Sequence, residues 1–249
     1  MNRQSFQQLF GSNGPVVTPV IHVLSTAQAL ANLEVLRAAG CPGAFLINHD
    51  FGRDAFLPIL REVRRAMPDL WLGVNFLAED GRVGFAALGA LAAEGHAFQA
   101  LWADDACLDE RQADQLDAKA IAAARADSGW EGMYFGGVAF KKQRPVADAD
   151  LERAARLGAE WMDVVTTSGL ATGQAPDLAK IARFRASIGD APLALASGIT
   201  PENAGHFAAD VDCFLVATGI NHPGDFYNID PARLTALLQA VGAHEVRHV

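Results

Sequence analysis

The sequence predicts a single-domain α/β protein, a (β/α)8 TIM barrel, and three features carry that expectation. Short apolar runs alternate with longer amphipathic, alanine-rich stretches, and the alternation recurs about eight times along the chain. Runs such as VVTPVIHVL and AFLIN do not alternate apolar with polar residues, which suits strands covered on both faces. Eight strand–helix units in 249 residues match the usual size of a closed barrel. An open doubly wound sheet would alternate in the same way, but no G-x-G-x-x-G follows the first strand, where such a fold often binds a dinucleotide. Without a linker, low-complexity segment or charge run, residues 1–249 are expected to form one domain.

In chain order, a first strand over 19–24 (PVIHVL) leads into an amphipathic helix over 27–39 that should end at Gly40. The second unit pairs AFLIN at 44–48 with a helix over 54–67, and the third pairs 72–76 with a helix over 84–93, closed near Gly95. A short strand at 100–102 precedes a helix over 113–125, with Gly129 past its end, and a fifth strand follows at 132–136. Helices over 148–157 and 178–187 flank a sixth strand at 162–166. The seventh strand, 193–196, is followed by a helix over 201–208, where Thr200 is the expected cap and Pro201 the first helical residue. The eighth strand, 213–217, and a helix over 231–240 complete the set.

Composition narrows the partners. Hydrophobic residues make up 51% and charged residues 20%, a globular balance. A net charge of -9 argues against nucleic acid, whose phosphates need a basic face, and weakly against an anionic membrane surface. Cys41, Cys107 and Cys213 are odd in number and share no metal-ligand spacing, so reduced thiols are expected. No signal-peptide core and no run of about 18 apolar residues is present, so a soluble, cytoplasmic protein without a transmembrane segment is expected. Barrels of this size often dimerise, but no heptad or apolar stripe specifies how.

The most informative stretch runs from Leu195 to Asn203, a strand ending in Ser197-Gly198-Ile199 before a helix start. About fifteen residues later another strand ends at Thr218-Gly219. In a TIM barrel these are the loops after strands seven and eight, the common phosphate site. Gly198 and Gly219 would let main-chain N–H groups approach an anion, and a helix N-terminus would add donors and a positive dipole end. Ser197, Gly198, Ile199, Thr218 and Gly219 are therefore the expected phosphate-binding residues, although the two glycines would equally serve tight turns.

This part of the chain resembles the BtpA family. Asp163-Val164-Val165-Thr166-Thr167-Ser168-Gly169-Leu170-Ala171-Thr172-Gly173 is similar to its D-x-(V/I)-(V/I)-T-G-x-x-T-G run, and residues 196–203 to its (G/A)-S-G-(V/I)-T-x-E-N run. Upstream, residues 20–24 resemble its first-strand His motif, residues 73–77 its G-V-N segment, and residues 137–142 its segment with a Lys-His pair. Here Lys142 stands where the family tends to have His. The loop at 103–109 also departs from the family's more apolar form. The resemblance implies a TIM barrel related to phosphate binders of the phosphoribosylanthranilate-isomerase type.

Catalytic groups in this fold sit at the C-terminal ends of strands. Those positions hold His22; Asn48, His49 and Asp50; Asn75; Trp102, Asp104 and Asp105; Lys141 and Lys142; and Thr166, Thr167 and Ser168. Asp50, Asp104, His22 and Lys141 are the expected catalytic set, because carboxylate, imidazole and ammonium together can run acid/base work on a phosphorylated metabolite. Asp50 would equally serve as a helix cap, and His22 as a packed core histidine. Asn48, Asn75, Thr167, Ser168, Thr172 and Gly173 are expected to line the substrate. His22, Asp50 and Asp104 could ligate a divalent ion, but no motif such as H-E-x-x-H is present, and no metal or other cofactor is expected. The segment 221–227 would either close over the ligand or simply lead into the last helix.

Two readings of function stay open. One is an isomerase or lyase acting on a sugar phosphate or phosphoribosyl compound, with phosphoribosyl transfer or nucleoside cleavage as a variant. The other, suggested by the resemblance, is a non-catalytic binding or assembly factor.

Overall fold

The computed structural model describes residues 1–141, 143–169, 174 and 177–245. Eight parallel strands close into a barrel in the order β1 to β8: Val16–Val23, Gly43–Asn48, Trp71–Asn75, Ala100–Ala103, Met133–Gly137, Val164–Ser168, Leu193–Ala196 and Cys213–Val216. β1 pairs with β2 on one side and β8 on the other, so the sheet has no edge. The helices are α1 (Arg3–Leu9), α2 (Thr26–Ala38), α3 (Arg53–Ala66), α4 (Gly81–Ala93), α5 (Leu116–Ser128), α6 (Leu151–Trp161), α7 (Leu178–Ser187) and α8 (Pro231–Glu245). None of the described helices is long and apolar enough to cross a membrane.

The continuous apolar runs are explained by two cores. Alternate strand residues such as Val20, Phe45, Ile47, Trp102, Phe135 and Leu215 fill the barrel interior. Their neighbours, including Ile21, Leu46, Val74 and Leu101, pack outward against the helices. Burying both faces leaves no polar position to alternate with.

α1 was not foreseen. Asn2 caps it through Ser5 N–H, and its Phe6 is fully buried among the interior side chains, edge-on to Phe135 with ring centroids 6.1 Å apart. Arg3 Nε donates to the buried Asp212 at 2.7 Å, and Arg185 donates to the other carboxylate oxygen at 3.0 Å. Asp212 precedes β8, so α1 plugs the N-terminal end of the barrel, opposite the C-terminal strand ends.

The segment expected to be a helix at 201–208 is instead a series of turns with a single 3-10 turn, Ala204–His206. The reason is local. Asn203 accepts from Thr200 N–H at 2.8 Å and donates to the Gly198 carbonyl at 2.7 Å, tying the segment back to the turn after β7. Gly205 then weakens the helical alternative. α5 also starts later than expected, because Gln115 bonds Asp109 N–H, the Asp109 carbonyl and the Gln112 carbonyl and holds that stretch as a loop.

Candidate functional site

The loops after β7 and β8 meet at the barrel mouth. Ser197 and Gly198 take φ of 75° and 65°, two consecutive left-handed residues that reverse the chain sharply. For Ser197, which has a Cβ, this conformation costs about 1 kcal/mol. A Cβ on Gly219 would stand 1.9 Å from the Ile199 carbonyl oxygen, so only glycine lets the two loops touch. Arg233, in the first turn of α8, donates to the Gly219 carbonyl at 2.9 Å and steadies the second loop from behind.

Among the described residues, the amides of Gly198, Ile199, Thr218 and Gly219 meet no protein acceptor; Thr200 N–H is taken by Asn203 and Ile220 N–H by the Ala217 carbonyl. Ser197 Oγ is buried and has no hydrogen-bond partner. Gly198 and Gly219 are half-buried and Thr218 is exposed, and amide donors on two touching loops can serve an acceptor-rich group. No α-helix N-terminus follows β7 to reinforce it, which removes the dipole contribution expected from residues 201–208.

These loops form one wall of a cavity of about 370 Å³. Val20, Ile47, Leu77, Trp102, Leu215 and Phe226 line it with apolar surface, and His22, His49, Asp104 and Lys141 bring polar groups. The segment after β8 crosses part of the mouth. Phe226 lies flat on His22, with centroids 3.8 Å apart and planes 22° apart, and its carbonyl accepts a hydrogen bond from His22 Nδ1 at 2.9 Å. The next carbonyl, of Tyr227, accepts from Gln28 Nε2 at 2.7 Å and Asn32 Nδ2 at 3.0 Å, pinning the segment to α2. Residues 221–227 thus do more than lead into α8.

Because a carbonyl can only accept, His22 carries its proton on Nδ1 and keeps Nε2 as an acceptor. Burial pushes its pKa down to about 4, the Phe226 bond raising it and neighbouring His49 and Lys141 lowering it further. At neutral pH it is an uncharged imidazole.

Asp104, directly after β4, accepts from Asn75 Nδ2 at 3.0 Å, and its main-chain carbonyl accepts from Gln143 Nε2. Lys141 N–H donates to Ser168 Oγ at 2.8 Å. His22, Asp104, Lys141 and the five residues expected to bind phosphate therefore share one cavity. Asp50, Asn48, Asn75, Thr167 and Ser168 do not join its lining. Asp50 is exposed at the rim, where the Tyr227 hydroxyl donates to it at 3.4 Å. Asn48 is spent on Phe51 and Leu77, tying two loops together. Thr167 donates to the Val138 carbonyl at 2.9 Å, and Ser168 to the Gly169 carbonyl at 2.8 Å. Asn75 acts behind Asp104. Thr172, Gly173 and Lys142 lie outside the described residues.

Two contributors escaped the sequence. Lys180, on α7, donates to the Ala139 and Ser168 carbonyls, both at 2.7 Å, and burial pushes its pKa down to about 8. It fixes the turn that carries Lys141, yet a lysine early in a helix reads as a solvated charge. Asn203 closes the loop after β7, and its position in a helical-looking stretch concealed that role. Among the described residues, no three His, Cys, Asp or Glu side chains gather into a metal-holding group.

Comparison with known proteins agrees with this geometry at the level of fold and family. The model of the BtpA family matches residues 54–243. No curated protein sequence matches the chain. Among solved structures, the tryptophan synthase alpha subunit from Legionella pneumophila str. Paris is similar with a TM-score of 0.64 at 15% identity, covering 98% of this chain and 99% of that one. Phosphoribosyl anthranilate isomerase from Thermus thermophilus gives 0.59 at 15% identity, covering 92% and 99%. A native KDPGal structure gives 0.61 at 11% identity, covering 93% and 96%. At these identities the likeness is one of fold.

Proposed function

The chain belongs to the BtpA family, and we propose that its barrel mouth binds a phosphorylated small molecule and performs acid/base chemistry of the isomerase or lyase type on it. One observation carries the reading: four unpaired amides, of Gly198, Ile199, Thr218 and Gly219, and the unpaired Ser197 hydroxyl stand on two loops that touch. Main-chain donors bind an anion without bringing a formal charge, so a protein of net charge -9 can hold a phosphate there. The name of one structural neighbour, phosphoribosyl anthranilate isomerase, agrees with a phosphorylated ligand in a barrel of this shape.

With the phosphate anchored at β7 and β8, the rest of the ligand extends toward His22, Asp104 and Lys141. His22 Nε2, uncharged and open to a proton, serves as the base. Asp104, oriented by Asn75, returns or accepts a proton, and the Lys141 ammonium offsets negative charge that develops on the ligand. Asp50, at the rim, steadies Tyr227 and through it the segment bearing Phe226.

A thermal-shift screen over phosphorylated metabolites tests the binding reading. A ligand that binds only the folded state stabilises it by about 2.7 kcal/mol at a hundred times its Kd. Melting temperatures unmoved by every phosphorylated compound, inorganic phosphate included, would remove the proposal.

A further inference from the structure

On the outside of the barrel, α5 packs along α4 but barely touches α6. The cleft left on that side of α5 has a volume of about 410 Å³ and is lined by Phe85, Ile121, Trp130 and Trp161. The Trp130 indole N–H is already bonded to the Phe98 carbonyl at 3.0 Å. Of the lining residues only Arg125 and Glu131 are charged, and Arg125 is paired with Asp163 at 2.6 Å. The cleft is thus an apolar hollow on the outer wall.

Leu116, the first residue of α5, is the most exposed large apolar side chain among the described residues, at 71%. It shares a helix face with Lys119, Ala120, Ala123, Ala126 and Asp127, all exposed, while Ala118 and Ile121 turn inward. The two charges on this face sit at the wrong ends for the helix alone. A helix dipole favours acids near the start and bases near the end, yet Lys119 comes early and Asp127 lies in the last turn. Lys119 has only the exposed Asp114 as a partner, and Asp127 makes no ion pair among the described residues.

Turned about a two-fold axis through Ala123, the face complements itself. An antiparallel copy brings together residues equidistant from Ala123. Lys119 then meets Asp127, Ala120 meets Ala126, and Leu116 comes over Trp130 at the cleft of the other copy, each contact made twice. Alanines let two helices approach to about 8 Å, and ordering them costs almost no side-chain entropy. A helix of this length spans about 20 Å, so the contact is small for a specific interface and the pair dissociates readily.

We infer that this face of α5, with the cleft beside it, docks a second copy of the chain in an antiparallel two-fold pair, with Leu116 in the partner's cleft and Lys119 against Asp127. The inference is independent of the phosphate reading, because none of these residues lines the mouth cavity.

Sedimentation velocity at low salt, over about 10 μM to about 1 mM protein, tests it. The unaltered protein should pass from monomer to dimer across that range. Ala123→Glu, an exposed change to another good helix former, puts like charges on the axis and should weaken the pair at least about tenfold with circular dichroism unchanged. Leu116→Ser should weaken it by a similar factor. Lys119→Glu alone and Asp127→Lys alone each oppose like charges and should each weaken association; both suit the helix dipole, so folding is not put at risk. An equimolar mixture of those two variants should associate about as tightly as the unaltered protein, because every contact in the mixed pair again joins opposite charges. A monomer persisting at about 1 mM, a dimer indifferent to Ala123→Glu or Leu116→Ser, or a mixture no tighter than its components would overturn the inference.

Discussion

His22 makes a prediction whose size follows from its surroundings. Its imidazole is buried, stacked on Phe226 and bonded to that residue's carbonyl, and its pKa falls from 6.5 to about 4. Between those values the unfolded chain holds a proton that the folded protein lacks, so stability falls as the solution is acidified. At 1.36 kcal/mol for each tenfold change in proton affinity, the full loss is about 3 kcal/mol, of which about 2 kcal/mol is lost by about pH 5. His22→Asn can keep a donor to the Phe226 carbonyl but does not titrate in this range. Urea unfolding of both proteins at about pH 7.5 and about pH 5 isolates the contribution, because other titrations are shared and cancel in the difference. The unaltered protein should lose about 2 kcal/mol more than the variant over that interval. Equal losses in the two proteins would refute the buried, neutral imidazole and remove His22 as a base with an open Nε2.

Further predictions concern the loops and the plug. Gly219→Ala drives a Cβ into the Ile199 carbonyl and should cost about 1–3 kcal/mol in urea unfolding, with phosphate affinity in calorimetry down about tenfold or more. Asn203→Ala frees Thr200 N–H and the Gly198 carbonyl; its loss of about 1–3 kcal/mol should also be accompanied by weaker phosphate binding. Phe6→Ala empties the N-terminal plug and should cost about 3–5 kcal/mol in the same assay without changing phosphate affinity. Lys180 titrates near pH 8 when folded and at 10.5 when unfolded, so the unfolded chain binds more protons in that window and this residue's contribution to stability rises with pH. Comparison with Lys180→Met should show that rise absent from the variant.

How much of this the sequence revealed depended on whether a residue's role lay in its own strand or in a distant contact. The barrel was legible because both strand faces are buried and the apolar runs say so directly. The Gly198 and Gly219 loops were legible because chain position and residue type coincide there. What failed was local: the Thr200-Pro201 pair reads as a helix start, but Asn203 ties the segment back to the Gly198 carbonyl and the chain goes on as turns around Gly205. Contacts across the barrel were illegible. Nothing in the spacing shows that Phe226 lies on His22, 204 residues away, or that Lys180 supports the Lys141 turn through two carbonyls. Asn48 and Thr167 stand at strand ends as expected, but their polar atoms hold neighbouring loops. Position at a strand end identifies candidates; only the partners of each side chain tell a binding group from a brace.

The most direct test of the phosphate socket is a titration of inorganic phosphate followed by amide nitrogen–proton NMR. The amide signals of Gly198, Ile199, Thr218 and Gly219 should move together with one dissociation constant, while Thr200 and Ile220, already bonded within the protein, move little. Phosphate-dependent shifts confined to other parts of the chain, with those four signals unmoved, would contradict the account.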